Sequence, residues 1–156
     1  MRKVFSALLL LCSFSIFADV NIRGGGALDQ DSATMAGVWL TQDGCRDCLA
    51  LNGGVIRGDE HGNLFAGADW PRKLLDNGEF VLRPSLGLAF FEKPLHGVGQ
   101  KLNFHLGLAL EFPKALGFSG MGVYFDHYSN GRRFFNHNMT TTQNPPRNMI
   151  SVGMSF

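Results

Sequence analysis

The chain has 156 residues, which is enough for one domain. Its formal net charge is +1, so no overall electrostatic attraction to nucleic acid is expected. The sequence holds 20 glycines and 14 phenylalanines but only 17% charged residues, a composition that favours an all-β protein with much apolar surface over a soluble helical protein.

The first 18 residues are typical of a secretory signal peptide. Arg2 and Lys3 supply a positive end, Ala7–Leu11 forms the centre of an apolar run, and Ile16-Phe17-Ala18 resembles a cleavage site. A membrane anchor is the weaker interpretation, because serines interrupt the run and it is shorter than the ~20 residues of a spanning helix. We therefore predict export, with residues 19–156 forming the mature domain.

The first half of the mature chain contains glycine-rich segments that predict strands. These segments are Val20–Leu28, Met35–Gln42, Cys48–Arg57 and Asn63–Trp70. The turn before the third segment carries Cys45 and Cys48. In an oxidising compartment a local disulfide fits this spacing, whereas a thioredoxin-like role needs a βαβ context that is absent. A zinc site would need two more ligands nearby and none is evident, so no metal is expected.

The second half shows the clearest periodicity. Phe80–Phe91 and Leu102–Phe112 each alternate large apolar residues with small or polar residues over about ten positions, as transmembrane barrel strands do. Soluble sandwich strands are nearer 5–6 residues. Met121–Tyr128 and Ile150–Phe156 continue the pattern, and a final aromatic residue on such a strand resembles the C-terminal signature of bacterial outer-membrane barrels.

The strand count predicts the fold: an all-β, eight-stranded antiparallel transmembrane β-barrel of the outer-membrane type, filled by its own side chains. The chain would start in the periplasm, and its longest connection, Asn130–Arg147, would lie outside the cell. Several polar residues fall on inward faces, where a structural network is favoured over catalysis. They are Arg83, His105, Glu111, Tyr124 and Asp126.

The predicted seventh strand carries the main candidate site. Its apolar face continues from Phe125 to His127 and Ser129, and Asn148 on the eighth strand falls on the same face. Nucleophilic acyl transfer needs a hydroxyl, an adjacent base and a group that orients the base. Ser129, His127 and Asn148 can fill these roles. His and Ser at strand ends are usually just polar residues at the membrane interface. Their predicted position on a lipid-facing wall is what makes this pair a more specific signal of a catalytic site.

The segments F-D-H-Y-S-N-G at 125–131 and N-P-P-R-N at 144–148, followed by a terminal strand, resemble the outer-membrane lipid A 3-O-deacylases of the PagL type. The resemblance extends back to about Phe80. It implies an eight-stranded barrel whose active site faces the membrane. It also implies hydrolysis of the ester-linked 3-hydroxyacyl chain at position 3 of lipid A, without a metal or other cofactor.

The same resemblance assigns roles to residues of the candidate site. Ser129 would be the nucleophile and His127 the general base. Positioning and oxyanion stabilisation would fall to Asn130, Gly131 and Asn144. The family's best-studied pattern has Glu where Asn148 stands. A neutral Asn can fix the imidazole tautomer but stabilises imidazolium less, so we expect lower activity than in Glu-bearing relatives.

The region after His127 contains Arg132, Arg133 and Arg147 but no carboxylate. Ordinary loop solubility is one interpretation. We predict instead that the three arginines bind lipid A phosphates, because guanidinium groups match phosphate geometry in bidentate fashion.

The sequence thus predicts a bacterial outer-membrane serine esterase whose partners are lipopolysaccharide and outer-membrane lipid, with no nucleic acid. The alternative from another class is a non-enzymatic small barrel of the OmpA/OmpX sort with a structural or adhesive role. A lipid A palmitoyltransferase would need a different set of site residues and an acyl-sized cavity. The oligomeric state stays open, including a homodimer.

Overall fold

The computed structural model describes residues 17–28, 33–42, 47–58, 62–93, 101–113, 120–129 and 147–156. Within these ranges the strands are β1 Phe17–Ala27, β2 Thr34–Gln42, β3 Ala50–Arg57, β4 Gly62–Pro71, β5 Leu75–Asp76, β6 Val81–Phe91, β7 Leu102–Phe112, β8 Gly120–Ser129 and β9 Arg147–Ser155. No helix in the described ranges is long and apolar enough to cross a membrane. The predicted signal peptide lies outside the described residues except for its last two positions, where β1 begins.

All strands except β5 join in one closed antiparallel barrel. The hydrogen-bonded order is β4-β3-β2-β1-β9-β8-β7-β6, and β4 also pairs with β6, which closes the ring. The two-residue β5 pairs only with the start of β6. In the described part of the chain, the barrel therefore has eight long strands of 8 to 11 residues, and the predicted fold class is confirmed.

Side chains alternate between the barrel interior and its outer surface as the sequence predicts. On β6, Phe91 is 0% exposed whereas its neighbour Phe90 is 53% exposed. The same contrast recurs around the barrel and leaves an exterior of large apolar residues, among them Leu64, Leu86, Leu88, Leu106, Leu108, Val123, Phe125, Ile150 and Val152. An apolar exterior around a closed barrel is the surface that lipid covers in outer-membrane proteins.

We call the barrel end where β1 begins and β9 ends the terminal end, and the opposite end the far end. An apolar core fills the half of the barrel at the far end. The core contains Met35, Trp39, Ile56, Phe65, Phe91, Tyr128 and Met149, all buried. Phe91 meets Tyr128 edge to face with ring centroids 5.4 Å apart. Gly37 leaves room for the Trp39 ring of this core, because a Cβ at residue 37 would come within 2.8 Å of that ring.

Polar residues fill the terminal half of the interior. Arg83 donates to Glu111 at 3.0 Å and also pairs with Asp47, and Tyr124 accepts a hydrogen bond from Asn21 at 2.8 Å. A cavity of about 60 Å³ lies in this half of the interior, and its lining includes Asn21, Arg83, Glu111 and Tyr124. The predicted inward-facing network is therefore confirmed for Arg83, Glu111 and Tyr124.

A second cation is held in the same half by aromatic rings. The guanidinium carbon of Arg23 lies 4.1 Å from the Trp39 ring centroid and 3.6 Å from that of Tyr124. Arg23 thus lies between two ring faces, an arrangement that attracts a cation through the ring quadrupoles. It also lies at the boundary between the polar half and the apolar core.

The connection between β4 and β6 turns at the terminal end through β5. The Asp76 carboxylate accepts from the Gly78 backbone N–H at 3.1 Å and from Lys73 at 3.2 Å, and these bonds hold the pKa of Asp76 below its usual value. Gly78 has a φ of 84°, which a residue with a side chain rarely adopts. The turn is therefore defined by side-chain contacts as well as by glycine.

Candidate active site

His127 and Ser129 lie on the outer face of β8, at the far end of the barrel. In the strand ladder, His127 lies opposite Leu106 on β7 and Asn148 on β9, and Ser129 lies opposite Phe104. The side chains of His127, Ser129 and Asn148 are each half-buried. The structure therefore brings the three predicted residues to one patch of the exterior.

A hydrogen bond joins two of the three candidate residues. His127 Nδ1 lies 2.8 Å from Asn148 Oδ1. An amide oxygen can only accept, so the Nδ1 atom carries the proton and donates. In a neutral ring the opposite nitrogen, Nε2, then has a free lone pair. This is the tautomer that a general base needs.

Ser129 lies two positions beyond His127 on the same strand face. Among the described residues, no hydrogen bond joins its hydroxyl to the His127 ring. Residues two apart in a strand are separated by about 6.6 Å along the backbone, so the two side chains approach by rotation about their χ angles. Catalytic hydrogen bonds are often long in ligand-free structures and tighten around the substrate.

Apolar side chains surround this polar patch on both neighbouring strands. Phe104 and Leu106 on β7 are 41% and 49% exposed, and Ile150 on β9 is 43% exposed. Phe125 continues the same face along β8. Polar groups among apolar side chains on a barrel exterior are costly to place, and such a patch is therefore a candidate functional site.

A buried polar cluster lies directly behind this patch, inside the barrel. His105 places Nδ1 2.5 Å from Asp69 Oδ1 and Nε2 2.8 Å from Asp126 Oδ1. Asp69 also accepts from Asn52 at 2.6 Å, and Arg23 lies 3.9 Å from Asp126. His105 and Asp126 were predicted to face inward, which is confirmed.

Asp69 and Asn52 were not identified by the sequence analysis, although a signal for Asp69 was present. Leu64, Ala66, Ala68 and Trp70 form the apolar side of β4. By alternation, Asp69 had to face the interior. Asn52 lies in a glycine-rich strand where neither face is marked by large apolar residues, so its direction was harder to infer.

Arg147 requires a correction. It was expected at the end of an outer loop with its guanidinium directed to lipid phosphates, but it is the first residue of β9 and lies opposite Tyr128. Its side chain is 6% exposed and faces the interior with Met149 and Ser151. The physical reason is the alternation of β9, which begins three residues before the predicted Ile150 and directs odd-numbered residues inward.

The remaining predicted site residues lie outside the described residues. They are Asn130, Gly131, Arg132, Arg133 and Asn144. Cys45 also lies outside, whereas Cys48 is disulfide-bonded. Among the residues that the structure describes, no group of three His, Cys, Asp or Glu side chains could hold a metal ion.

Comparisons with known proteins find the same architecture in two solved structures. The crystal structure of the outer membrane enzyme PagL gives a TM-score of 0.57 at 16% identity, covering 89% of this chain and 99% of that chain. The solution NMR structure of the de novo designed TMB2.3 gives a TM-score of 0.50 at 12% identity, covering 88% and 90%. At these identities the likeness shows the fold alone. No protein-family model and no curated protein matches the sequence.

Proposed function

We propose that this protein is a lipid A 3-O-deacylase of the bacterial outer membrane, which hydrolyses the ester-linked 3-hydroxyacyl chain at position 3 of lipid A. The observation that carries the proposal is the hydrogen bond between His127 and Asn148 on the outer face of the barrel. That bond fixes the ring in the tautomer of a general base, within a surface that lipid would cover. The architecture shared with the outer membrane enzyme PagL supports an enzyme built on an outer-membrane barrel.

The proposed reaction begins when the Ser129 hydroxyl attacks the ester carbonyl. His127 Nε2 takes the hydroxyl proton, and Asn148 holds the imidazolium that forms through the Nδ1–H bond. Nε2 then returns the proton to the departing sugar hydroxyl, which leaves the acyl group on Ser129. A water molecule, activated in the same way, hydrolyses this acyl-enzyme and releases the 3-hydroxy fatty acid.

The location of the pair explains why a lipid would be the substrate. An acyl chain lying along the apolar face of β7, β8 and β9 reaches Ser129 without leaving the membrane. The barrel axis offers no route, since the aromatic core around Phe91 and Tyr128 fills the far half. In the proposed orientation both ends of the mature chain lie on the periplasmic side, so the far end of the barrel lies at the outer leaflet. The substrate would therefore approach laterally from the outer leaflet.

The direct test is mass spectrometry of lipid A from a heterologous bacterial host that expresses the chain. Wild-type protein should produce lipid A that lacks one 3-hydroxyacyl group, and the Ser129→Ala variant should leave lipid A intact. Heat-modifiable migration in gel electrophoresis checks that both proteins form the barrel. If both hosts yield intact lipid A, the protein is the non-enzymatic small barrel that the sequence left as the alternative; if both lack the acyl group, Ser129 is not the nucleophile.

A further inference from the structure

We propose that His105 is a positioning residue for His127. From inside the barrel, it fixes the segment of β8 that presents the candidate catalytic pair to the outside. The proposal deepens the proposed function and rests on it for its kinetic readout. The spectroscopic readout below does not depend on catalysis.

The first observation is that His105 contacts both sequence neighbours of His127. Its Nε2 atom lies 2.8 Å from Asp126 Oδ1. Its ring stacks on that of Tyr128, with centroids 4.7 Å apart and planes 15° apart. Because successive side chains of a strand alternate, fixing residues 126 and 128 from the inside determines where residue 127 points on the outside.

The second observation is that His105 is itself anchored beyond its neighbouring strand. Its Nδ1 atom is 2.5 Å from Asp69 on β4, and the two side chains meet over Gly87 of the intervening strand β6, the ladder partner of both residues. Asp69 is held in turn by Asn52 on β3. The contacts therefore run along the inner wall from β8 through β7 to β4 and β3, so a displacement of β8 would disturb bonds three and four strands away.

The third observation concerns charge. Both ring nitrogens of His105 face carboxylate oxygens, and they can donate together only when the ring carries two protons. The arrangement thus places a positive ring between two carboxylates, with Arg23 as a second cation 3.9 Å from Asp126. The two carboxylates and the His105 ring are buried together, and Arg23 beside them is partly buried. Charge-assisted hydrogen bonds of this kind are stronger and more directional than neutral ones.

Aromatic packing holds the other neighbour of His127. Tyr128 is 1% exposed, and its ring meets Phe91 at 5.4 Å and Phe65 at 6.5 Å. With His105 on one side and the aromatic core around it, the Tyr128 ring has little freedom to shift. Contacts of Asp126 and Tyr128 inside the barrel therefore determine the geometry of the His127–Asn148 bond on the outside.

The variants separate positioning from general stability. His105→Gln removes the stacked ring, and Asp126→Leu removes the acceptor while it leaves His105 in place. Asp126→Asn is the conservative variant, because its amide oxygen still accepts from His105. Glu111→Gln is the matched control. Glu111 lies on β7, the strand that carries His105, and accepts a hydrogen bond from Arg83 in the interior, but it lies away from His127.

The kinetic readout is kcat and KM on lipid A in mixed micelles. His105→Gln and Asp126→Leu should lower kcat about tenfold or more with KM within about twofold, because a misplaced base weakens the transition state and leaves binding intact. Asp126→Asn should restore most of kcat, and Glu111→Gln should change neither constant. An equal loss in Glu111→Gln would show that any interior polar substitution has this effect, and would overturn the positioning role.

The spectroscopic readout is the NMR signal of the His127 Nδ1 proton, assigned by its disappearance in Asn148→Ala. The signal should be lost or broadened in His105→Gln and Asp126→Leu, and kept in Asp126→Asn and Glu111→Gln. If it persists unchanged in both disrupting variants, the proposal is overturned. A wild-type protein that shows the signal but no deacylase activity would refute the proposed function, and the variants would still decide whether His105 positions His127.

Discussion

His127 and Asn148 are direct partners in the β8–β9 ladder, and their side chains meet at 2.8 Å on the outer face of the barrel. The position that orients the candidate base is thus set by strand register, because any side chain at residue 148 must project beside the imidazole. The chemistry of that side chain then decides how well an imidazolium is stabilised.

This relationship yields a prediction for Asn148. Asn148→Ala should lower kcat about ten- to hundredfold with little change in KM, since the ring loses its orientation only where the transition state needs it. Asn148→Glu should preserve or raise kcat, because a carboxylate accepts the same Nδ1–H bond and adds charge support for the imidazolium. Steady-state kinetics on purified barrels check both. A fall with Asn148→Glu as large as with Asn148→Ala would mean that residue 148 does not orient the base.

The candidate nucleophile and base should behave as one unit. Ser129→Ala is expected to reduce activity by at least about a thousandfold, and His127→Ala to a similar level. The double variant should be no worse than either single variant, because the two groups act in the same proton transfer. Circular dichroism and heat-modifiable migration serve as folding controls. Near-wild-type activity in Ser129→Ala would reject its assignment as nucleophile.

The three arginines predicted to bind phosphate should separate into two classes. Replacing Arg132 and Arg133 by Gln should raise KM for bisphosphorylated lipid A severalfold and leave hydrolysis of a small uncharged ester unchanged. Arg147→Gln should instead lower barrel stability and leave KM nearly constant, because its side chain is buried among interior residues. The two substrates and a urea titration distinguish these outcomes. A KM effect of Arg147→Gln as large as that of the Arg132 and Arg133 replacements would contradict its interior placement.

The adjacent residues Phe90 and Phe91 test the register of the barrel. Phe91→Ala should cost about 3–5 kcal/mol of unfolding free energy, because it leaves a cavity in the aromatic core. Phe90→Ala should cost less, since its ring is 53% exposed on the outer face where lipid can fill the space. Urea unfolding in lipid vesicles, followed by the fluorescence of the buried Trp39 in a Trp70→Phe background, provides the measurement. Equal losses would show that β6 does not have the described inside and outside.

The fold could be predicted from sequence where one strand face is uniformly large and apolar. β6 and β7 have leucine or phenylalanine at every second position, apart from Pro84 on β6, and their predicted bounds agree with the structure to within one residue. β9 was harder, because its first two residues, Arg147 and Asn148, are both polar and follow two prolines. A polar pair next to a turn gives no hydrophobic alternation to follow, so the strand was predicted to begin too late.

The outward-facing residues of the candidate site could be predicted from the sequence, whereas the interior contacts behind them could not. His127 and Asn148 share an outward face by parity alone, and the structure adds the hydrogen bond between them. The link from His105 to Asp69 could not be inferred in the same way, because β4 and β7 are not neighbours in the sheet. The two side chains meet over Gly87 of the intervening strand β6, so the contact depends on which strands pair and on their register, which no single strand pattern encodes.

The alternation within β8 also limits which changes in chain length this protein can accept. From Asp126 to Ser129, side chains facing the lumen and side chains facing lipid follow one another at every step. A single inserted or deleted residue would exchange the two sets, sending His127 and Ser129 into the lumen and Tyr128 into the bilayer, unless a bulge absorbed it. We therefore expect length variation among natural relatives to be confined to the connections between strands, while the spacing from residue 126 to residue 129 stays invariant.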